Sequence, residues 1–198
     1  MTAEQFEHLH FFRVLMRDAD IPARHAAFRT ADSKCPEWDS VLASMRGLVG
    51  KGFLCALVGT RGAYKTQLAV ELLRLVCWRG KPGLYRRVME FFMDLKSSYN
   101  GGDETEAAVL ARYAAPALLV LDEAHERGGT TWESSMLNLL IDKRYAAMKD
   151  TVLIANLTRA ELPGALGPSI MRRLDDTGGI VECAWGRMGQ ANTGGQHE

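Results

Sequence analysis

The sequence predicts an α/β protein built on a parallel sheet of five strands. Five short apolar runs are separated by segments in which apolar residues recur at helical spacing. A glycine-containing loop follows the first run, and two carboxylates follow the third. Strands that alternate with helices form parallel βαβ units with helices on both faces, so we expect three layers. The 198 residues are 47% hydrophobic, which suffices for one domain with a buried core.

The region before the first strand is predicted to be largely helical. Thr2-Ala3-Glu4-Gln5 has the form of a capping box, and we predict that a helix over residues 2–17 follows from it. Residues 24–38 show no clear period and are predicted to form a loop. Apolar residues between 41 and 49 predict a second helix that ends at Gly50 or Gly52.

The rest of the chain alternates between strands and helices. We predict strands over residues 53–58, 84–88, 117–121, 151–155 and 180–184. We predict helices over residues 65–78, 89–97, 104–113 and 132–148, with a loop at 100–102 and a short helical stretch before the last strand. The resulting organisation is an N-terminal helix in residues 1–20, a core domain in 21–186 and a disordered tail in 187–198.

Composition excludes several classes of protein. The formal net charge is +0, so global charge gives no support for nucleic-acid binding, although a local patch remains possible. No apolar run approaches the roughly 18 residues of a membrane span, and the N-terminus lacks the apolar core of a signal peptide. The four cysteines have no CxxC spacing and read as free thiols. We therefore expect a cytoplasmic protein without a membrane partner.

The loop after the first strand resembles a phosphate-binding P-loop, G-x-x-x-x-G-K-[S/T]. Its backbone N–H groups and the following helix N-terminus would cradle the β-phosphate of ATP. Lys65 would reach the β- and γ-phosphates, and the Thr66 hydroxyl would hold Mg²⁺. We predict that nine consecutive residues bind the nucleotide: Gly59, Thr60, Arg61, Gly62, Ala63, Tyr64, Lys65, Thr66 and Gln67.

Tyr64 departs from this pattern, because it occupies the position of the second glycine. If this position requires a positive φ, a tyrosine is strained there. Either nucleotide binding is weakened or lost, or the loop tolerates a tyrosine that points outward, over the base or toward another subunit. We expect that binding is retained, because Lys65, Thr66 and the acidic motif described next are intact.

That acidic motif is the apolar run 118–121 followed by Asp122 and Glu123, which has the form of a Walker B strand. We predict that Asp122 holds Mg²⁺ and that Glu123 polarises the attacking water. Asn156 ends the fourth strand, where it would orient the γ-phosphate or the water. Arg172 and Arg173 precede the last strand, either as a solvated basic pair or as the source of an arginine finger that acts on the nucleotide of a neighbouring subunit, which requires self-association.

The order of these motifs resembles that of the AAA+ family and, within it, the DnaC/IstB group of helicase loaders and transposition-helper ATPases. The resemblance extends from about Ile21 to Trp185. It is carried further by Thr66-Gln67-Leu68-Ala69, by Leu140-Ile141-Asp142-Lys143-Arg144-Tyr145, and by the segment from Leu166 to Leu174. It implies a P-loop AAA+ core with strand order 5-1-4-3-2, and it makes Arg173 the residue that best fits the arginine-finger position. The chain departs from many AAA+ proteins in one respect, because the residues after the fifth strand leave room for little or no C-terminal helical lid.

The same resemblance implies a function in DNA replication, with ATP and Mg²⁺ as cofactors. A loader of this type contacts single-stranded DNA, binds a replicative helicase and assembles into an oligomer or filament. Trp132 lies where a DNA-contacting aromatic would fall, and Tyr99 is a weaker candidate. Two alternatives stay open: a transposition-helper ATPase on duplex DNA, and a nucleotide-bound adaptor that has lost hydrolysis through Tyr64.

Overall fold

Five parallel strands form the centre of the protein in the computed structural model, which describes residues 2–27, 35–99 and 104–185. They are β1 (Leu54–Val58), β2 (Gly83–Arg87), β3 (Leu118–Asp122), β4 (Asp150–Ala155) and β5 (Gly179–Glu182). Their hydrogen-bonded order is β2-β3-β4-β1-β5. This confirms the predicted order, which places β1 and the loop that follows it next to β4 and one strand away from β3.

Nine helices surround the sheet within the described residues. The first four are α1 (Ala3–Asp18), α2 (Ala23–Ala26), α3 (Pro36–Arg46) and α4 (Lys65–Trp78). The remaining five are α5 (Val88–Tyr99), α6 (Glu106–Ala114), α7 (Thr131–Ala146), α8 (Leu162–Leu166) and α9 (Pro168–Thr177). None of these helices has the length and apolar character that crossing a membrane requires.

Side-chain alternation along the strands produces two cores, one on each face of the sheet. One face, with Ala56, Leu119 and Leu153, packs against α5 to α9. The opposite face, with Leu57 and Val120, packs against α3 and α4. Asp122 lies two residues after Val120, so its side chain shares the α4 face. This alternation brings the carboxylate to the side of the sheet from which α4 starts.

The prediction of a loop over residues 24–38 was wrong at both of its described ends. Residues 23–26 form α2, and α3 begins at Pro36. A proline suits the first turn of a helix, because its missing N–H would have no intrahelical partner there. Trp38 lies in that first turn and is completely buried. The second helix thus begins five residues before the predicted start and ends at Arg46, while residues 28–34, the predicted loop at 100–102 and the predicted tail lie outside the described residues.

Helix α1 starts with the predicted capping box, in which Thr2 and Gln5 exchange backbone and side-chain hydrogen bonds. The helix contacts α4 and β2. His8 and Phe12 pack edge-on against Trp78 of α4, with ring centroids 4.4 and 5.4 Å away. One side of α1 therefore packs on its own domain. Phe6 and Phe11 remain exposed.

Two buried charged residues organise the amino edge of the sheet, where the strands begin. Arg144 of α7 donates hydrogen bonds to the carbonyls of Tyr113, Ala114, Pro116 and Asp150 and to the Thr151 hydroxyl. Asp150, the first residue of β4, accepts backbone N–H bonds from Gly50, Gly52 and Phe53. These bonds join α6, α7 and the segment before β1 to the start of the sheet, and they satisfy polar groups that burial would otherwise leave unpaired.

Candidate functional site

A cleft of about 660 Å³ opens at the carboxyl edge of the sheet, above β1, β3 and β4. Ligands of open α/β sheets bind at this edge, outside the carboxyl ends of the strands. The cleft is lined by most of the sequence-predicted nucleotide-binding and catalytic residues: Arg61, Gly62, Ala63, Tyr64, Lys65, Thr66, Gln67, Asp122, Glu123 and Asn156. The topology thus brings together residues from three separate parts of the chain.

The loop between β1 and α4 has two glycines with positive φ, Gly59 and Gly62. Gly59 has a φ of 133°, and a Cβ on it would lie 2.6 Å from the carbonyl oxygen of Cys183. The Lys65 ammonium donates two 2.7 Å hydrogen bonds, to the carbonyls of Gly59 and Thr60. Burial lowers the pKa of Lys65, while the nearby Asp122 carboxylate opposes that shift. The ammonium is therefore held beneath the loop, where it can exchange carbonyl partners for phosphate oxygens.

Tyr64 is the N-cap of α4 and adopts the left-handed conformation, with φ 54° and ψ 29°. This is the positive-φ region in which we expected a tyrosine to be strained. A residue with a Cβ costs about 1–2 kcal/mol there relative to its preferred conformations. The side chain does not project freely outward: it is half-buried, packs against the core on the α4 face and lines the cleft. Packing of the ring offsets part of the conformational cost.

Two tryptophans hold the carbonyl groups of this unusual loop. The Trp185 indole, after β5, donates a 2.7 Å hydrogen bond to the Ala63 carbonyl. The Trp38 indole, from α3, donates a 3.4 Å bond to the Tyr64 carbonyl. The loop is thus fixed from two sides by elements far away in the sequence. Neither contact leaves a local pattern that sequence reasoning could have detected.

Asp122 and Thr66 offer a site for Mg²⁺. The Thr66 hydroxyl donates a 2.8 Å hydrogen bond to Asp122 Oδ2, and Asp122 Oδ1 accepts the Glu123 N–H at 2.8 Å. Both side chains present hard oxygen donors, which Mg²⁺ prefers. Across residues 2–27, 35–99 and 104–185, no group of three or more His, Cys, Asp or Glu side chains is placed to hold a metal. These two oxygen donors would fit a Mg²⁺ ion that takes its other ligands from water or from a bound ligand.

Tyr85 of β2 also contacts this carboxylate, and sequence reasoning missed it. Its hydroxyl donates a 2.7 Å hydrogen bond to Asp122 Oδ2. Burial, followed by the negative charge of Asp122, raises the pKa of Tyr85, so the hydroxyl remains a donor at neutral pH. Arg24, His25, Arg87 and Ile154 complete the cleft. No motif marks these positions, because they belong to the site only through the packing of α2, β2 and β4 around it.

Glu123 and Asn156 lie where β3 and β4 end, beside the phosphate loop. Glu123 is half-buried with a φ of 53°. Burial and the neighbouring Glu126 carboxyl raise its pKa, so Glu123 retains a proton to higher pH than an ordinary glutamate. A carboxyl group whose pKa is raised toward the working pH suits a general base. Asn156 lines the same cleft, and its backbone N–H donates to His125 Nδ1 at 3.4 Å.

Arg173 lies apart from these residues and is absent from the lining of the cleft. Its guanidinium lies 2.8 Å from Asp142 Oδ1, donates to Ser169 and rests over the Tyr145 ring, 5.6 Å from its centroid. The adjacent Arg172 is exposed. Within one subunit the predicted finger is therefore engaged in contacts among α7 and α9.

The two candidate DNA-contacting aromatics lie together and are absent from the lining of the cleft. Trp132 is half-buried at the start of α7, and Tyr99 at the end of α5 is exposed. Their ring centroids are 6.2 Å apart, and the Lys96 ammonium lies 5.6 Å from the Trp132 centroid. Trp132 also packs against the core, with Phe92 at 6.0 Å. The patch combines two rings with one cation, and this cation also lies 3.7 Å from the carboxylate of the buried Glu133.

Comparison with known proteins places these observations in a family. The sequence profile of the family described as IstB-like ATP binding protein matches residues 11–173. Replicative helicase loader DnaC from Escherichia coli strain K12 is 25% identical over 116 residues, which make up 59% of this chain and 47% of DnaC. Uncharacterized protein YdaV from the same strain is 29% identical over 124 residues, or 63% of this chain and 50% of YdaV. The chain spans about half the length of the curated relatives it matches.

Solved structures agree with this assignment at the level of fold. The crystal structure of the DnaC helicase loader superposes with a TM-score of 0.66 and 21% identity, covering 84% of this chain and 97% of that chain. The crystal structure of DnaI gives a TM-score of 0.67 and 18% identity, covering 82% and 94%. Both therefore share the overall fold described above. Since the family profile covers most of the chain, the protein belongs to the IstB-like ATP-binding family and is a distant homologue of DnaC.

Proposed function

We propose that the protein is a Mg²⁺-dependent ATPase of DNA replication that acts as a DnaC-like helicase loader. The observation that carries the proposal is the convergence of Lys65, Thr66, Asp122, Glu123 and Asn156 on one cleft. The match to curated proteins named replicative helicase loaders supports the choice of process and suggests a replicative helicase as partner. The five residues in the cleft would supply what phosphoryl transfer to water needs, namely a phosphate cradle, metal ligands and a base.

Each residue has a distinct task in this proposal. The Lys65 ammonium and the N-terminus of α4 bind the β- and γ-phosphates. Thr66 and Asp122 hold Mg²⁺, which neutralises phosphate charge when bound. Glu123 accepts a proton from the attacking water, and the Asn156 amide orients that water or the γ-phosphate. These residues lie at or just after the ends of the adjacent strands β1, β4 and β3, so the sheet fixes their backbone and only the side chains need to adjust.

The test is ATP turnover by the purified protein with and without single-stranded DNA. We expect turnover that DNA stimulates, and we expect Glu123→Gln to lower it by about 10²–10⁴-fold, the usual loss on removing a general base. ATP affinity should stay within about threefold of the wild type, because glutamine preserves the shape of the side chain. Equal turnover in the two proteins would overturn the role of Glu123.

We further propose that Arg173 acts on the nucleotide of a neighbouring subunit, which requires its pair with Asp142 to open on assembly. Complementation tests this arrangement. Arg173→Ala retains a complete cleft, and Glu123→Gln retains the arginine, so each should be weak alone and their mixture should recover turnover. Arg172→Ala, a change at the exposed neighbour, serves as the control. No recovery in the mixture would argue against a finger supplied by a second subunit.

The patch of Tyr99, Trp132 and Lys96 is the proposed contact for single-stranded DNA. Rings offer stacking surfaces to bases, and the half-exposed Lys96 can contact a phosphate if it exchanges its pair with Glu133 for that contact. Stacking is worth about 1–3 kcal/mol per base, so Tyr99→Ala should weaken oligonucleotide binding about tenfold. Met93→Ala, at another exposed residue of α5, is a matched control that should leave binding unchanged. Equal losses in both variants would remove the patch from consideration.

Two alternatives have observations in their favour. The family description favours a transposition-helper ATPase, and filament formation on duplex rather than single-stranded DNA would support it. The left-handed Tyr64 favours an adaptor that binds ATP without hydrolysis, in which the wild-type turnover would equal that of Lys65→Ala. The same turnover assay, run with both forms of DNA, separates the three functions.

A further inference from the structure

The Walker B carboxylate of this protein has a hydrogen-bond donor that its motif does not supply. Asp122 Oδ2 accepts hydrogen bonds from two hydroxyl groups, that of Thr66 at 2.8 Å and that of Tyr85 at 2.7 Å. Asp122 Oδ1 accepts the Glu123 N–H. All three donors fall on one carboxylate that is only 7% exposed. Its orientation is therefore fixed by the neighbouring backbone N–H and by hydroxyl groups from two separate segments, α4 and β2.

Strand register explains how Tyr85 reaches Asp122. In the parallel pair of β2 and β3, Tyr85 lies opposite Val120, two residues before Asp122. Residues two apart share one face of a strand, and side chains lean along the strand direction. The ring of Tyr85, which is 6% exposed, packs within the core on the α4 face and directs its hydroxyl toward the carboxyl edge. A shorter side chain at this position could not span that distance.

The two hydroxyls on Oδ2 have different chemical options. The Thr66 hydroxyl has two lone pairs, so it could offer one of them to Mg²⁺ while its O–H still donates to Asp122. The Tyr85 hydroxyl has no such task and can keep donating. We propose that Tyr85 is a positioning residue, which holds Asp122 in the orientation that forms the Mg²⁺ site. This inference rests on the proposed function of the cleft.

Tyr113 provides a matched control within the same protein. It is also a buried tyrosine, and its hydroxyl donates a 2.7 Å hydrogen bond to a carboxylate oxygen, Asp94 Oδ2. It lies on α6, against the opposite face of the sheet from α4, and does not line the cleft. Tyr113→Phe therefore removes the same chemical bond as Tyr85→Phe at a site with no proposed metal ligand.

The experiment measures binding of a fluorescent ATP analogue as Mg²⁺ is titrated, and again in EDTA. For Tyr85→Phe we expect the half-saturating Mg²⁺ concentration to rise about tenfold, the effect of one hydrogen bond to a charged group. Affinity in EDTA should match the wild type. Tyr113→Phe should change neither value. An unchanged Mg²⁺ dependence in Tyr85→Phe, or an equal loss with and without Mg²⁺, would overturn the inference.

Tyr85→Leu guards against a result caused by misfolding of one variant. It also lacks the hydroxyl but packs differently, so the same Mg²⁺ shift in both variants assigns the effect to the hydroxyl. A shift in only one of them assigns it to packing and contradicts the inference. A wild type that binds no nucleotide at any Mg²⁺ concentration would instead refute the proposed function, which keeps the two failures distinct.

Discussion

The two edges of the sheet both bury charged side chains, but they use them differently. At the amino edge, Arg144 is fully buried and its guanidinium is shared among four carbonyls and one hydroxyl. At the carboxyl edge, Lys65 and Asp122 are nearly as buried, yet they face a cleft of about 660 Å³. The partners of Lys65 are loop carbonyls that can exchange for a ligand, and those of Asp122 are two hydroxyl groups and a backbone N–H.

The surroundings of a buried charge indicate whether it serves the fold or a ligand. When backbone groups satisfy it on every side, removal damages the fold, because acceptors lose their donor in a low-dielectric interior. When it faces a cleft, removal damages binding more than stability. Burial lowers the pKa of both Arg144, to about 9, and Lys65. The direction of the pKa shift therefore does not distinguish the two residues, whereas the groups that surround each charge do.

Arg144→Met should give the largest effect on stability. It leaves the carbonyls around the amino edge without their shared donor, and we expect the free energy of unfolding to fall by about 3–5 kcal/mol. Urea denaturation measures the loss. Arg112→Met is the control: this arginine pairs with Asp94 and Glu104 at the surface, where such pairs contribute about 0–1 kcal/mol. Similar losses in both variants would erase the distinction between the two kinds of site.

Lys65→Ala should show the opposite pattern at the carboxyl edge. We expect ATP affinity to fall by about a hundredfold, since a buried ammonium that contacts phosphate is lost. Stability should change little, because burial already disfavours the charged form of Lys65. Calorimetric titration and urea denaturation provide the two values. Lys51→Ala, at an exposed lysine, is the control, and unchanged ATP affinity in Lys65→Ala would refute the assignment of the loop.

Trp185→Phe should give the smallest effect and sharpen the account of the loop. It removes one donor from the Ala63 carbonyl while it keeps an aromatic ring, so we expect ATP affinity to fall about fivefold. Trp78→Phe is matched in chemistry, but Trp78 packs on His8 and Phe12 and does not contact the loop. Equal ATP affinities in the wild type and Trp185→Phe would mean that the indole does not support the loop.

Sequence patterns predicted the parts of this protein that local chemistry determines. Helix α4 was predicted with its observed bounds, because the loop before it and Gly80 after it mark both ends. Asp122 and Lys65 were assigned to one site from strand periodicity and motif spacing. The start of α3 was predicted five residues too late, because residues 36–40 show no clear apolar period, although Pro36 suits the first turn of a helix.

The remaining features depend on contacts between distant segments. Tyr85 has no motif, and its link to Asp122 arises from the register of β2 on β3. Arg144 lies in one of the segments that carry the family resemblance. Its hydrogen-bond partners, however, lie in α6, in the segment just before β3 and in β4. Trp38 and Trp185 meet the loop from elements 26 and 122 residues away in sequence. Periodicity and spacing carry no information about such pairs.

The most direct test is calorimetric titration of ATP with Mg²⁺ into the wild type and Tyr64→Gly, because Tyr64 is the one departure from the P-loop pattern. Glycine adopts the left-handed conformation without strain and adds no Cβ beside the phosphates. We expect the wild type to bind ATP and Tyr64→Gly to bind it several-fold more tightly. If the wild type binds no ATP and Tyr64→Gly binds it well, then Tyr64 has closed the site and the carboxyl edge of the natural protein is not a nucleotide-binding site.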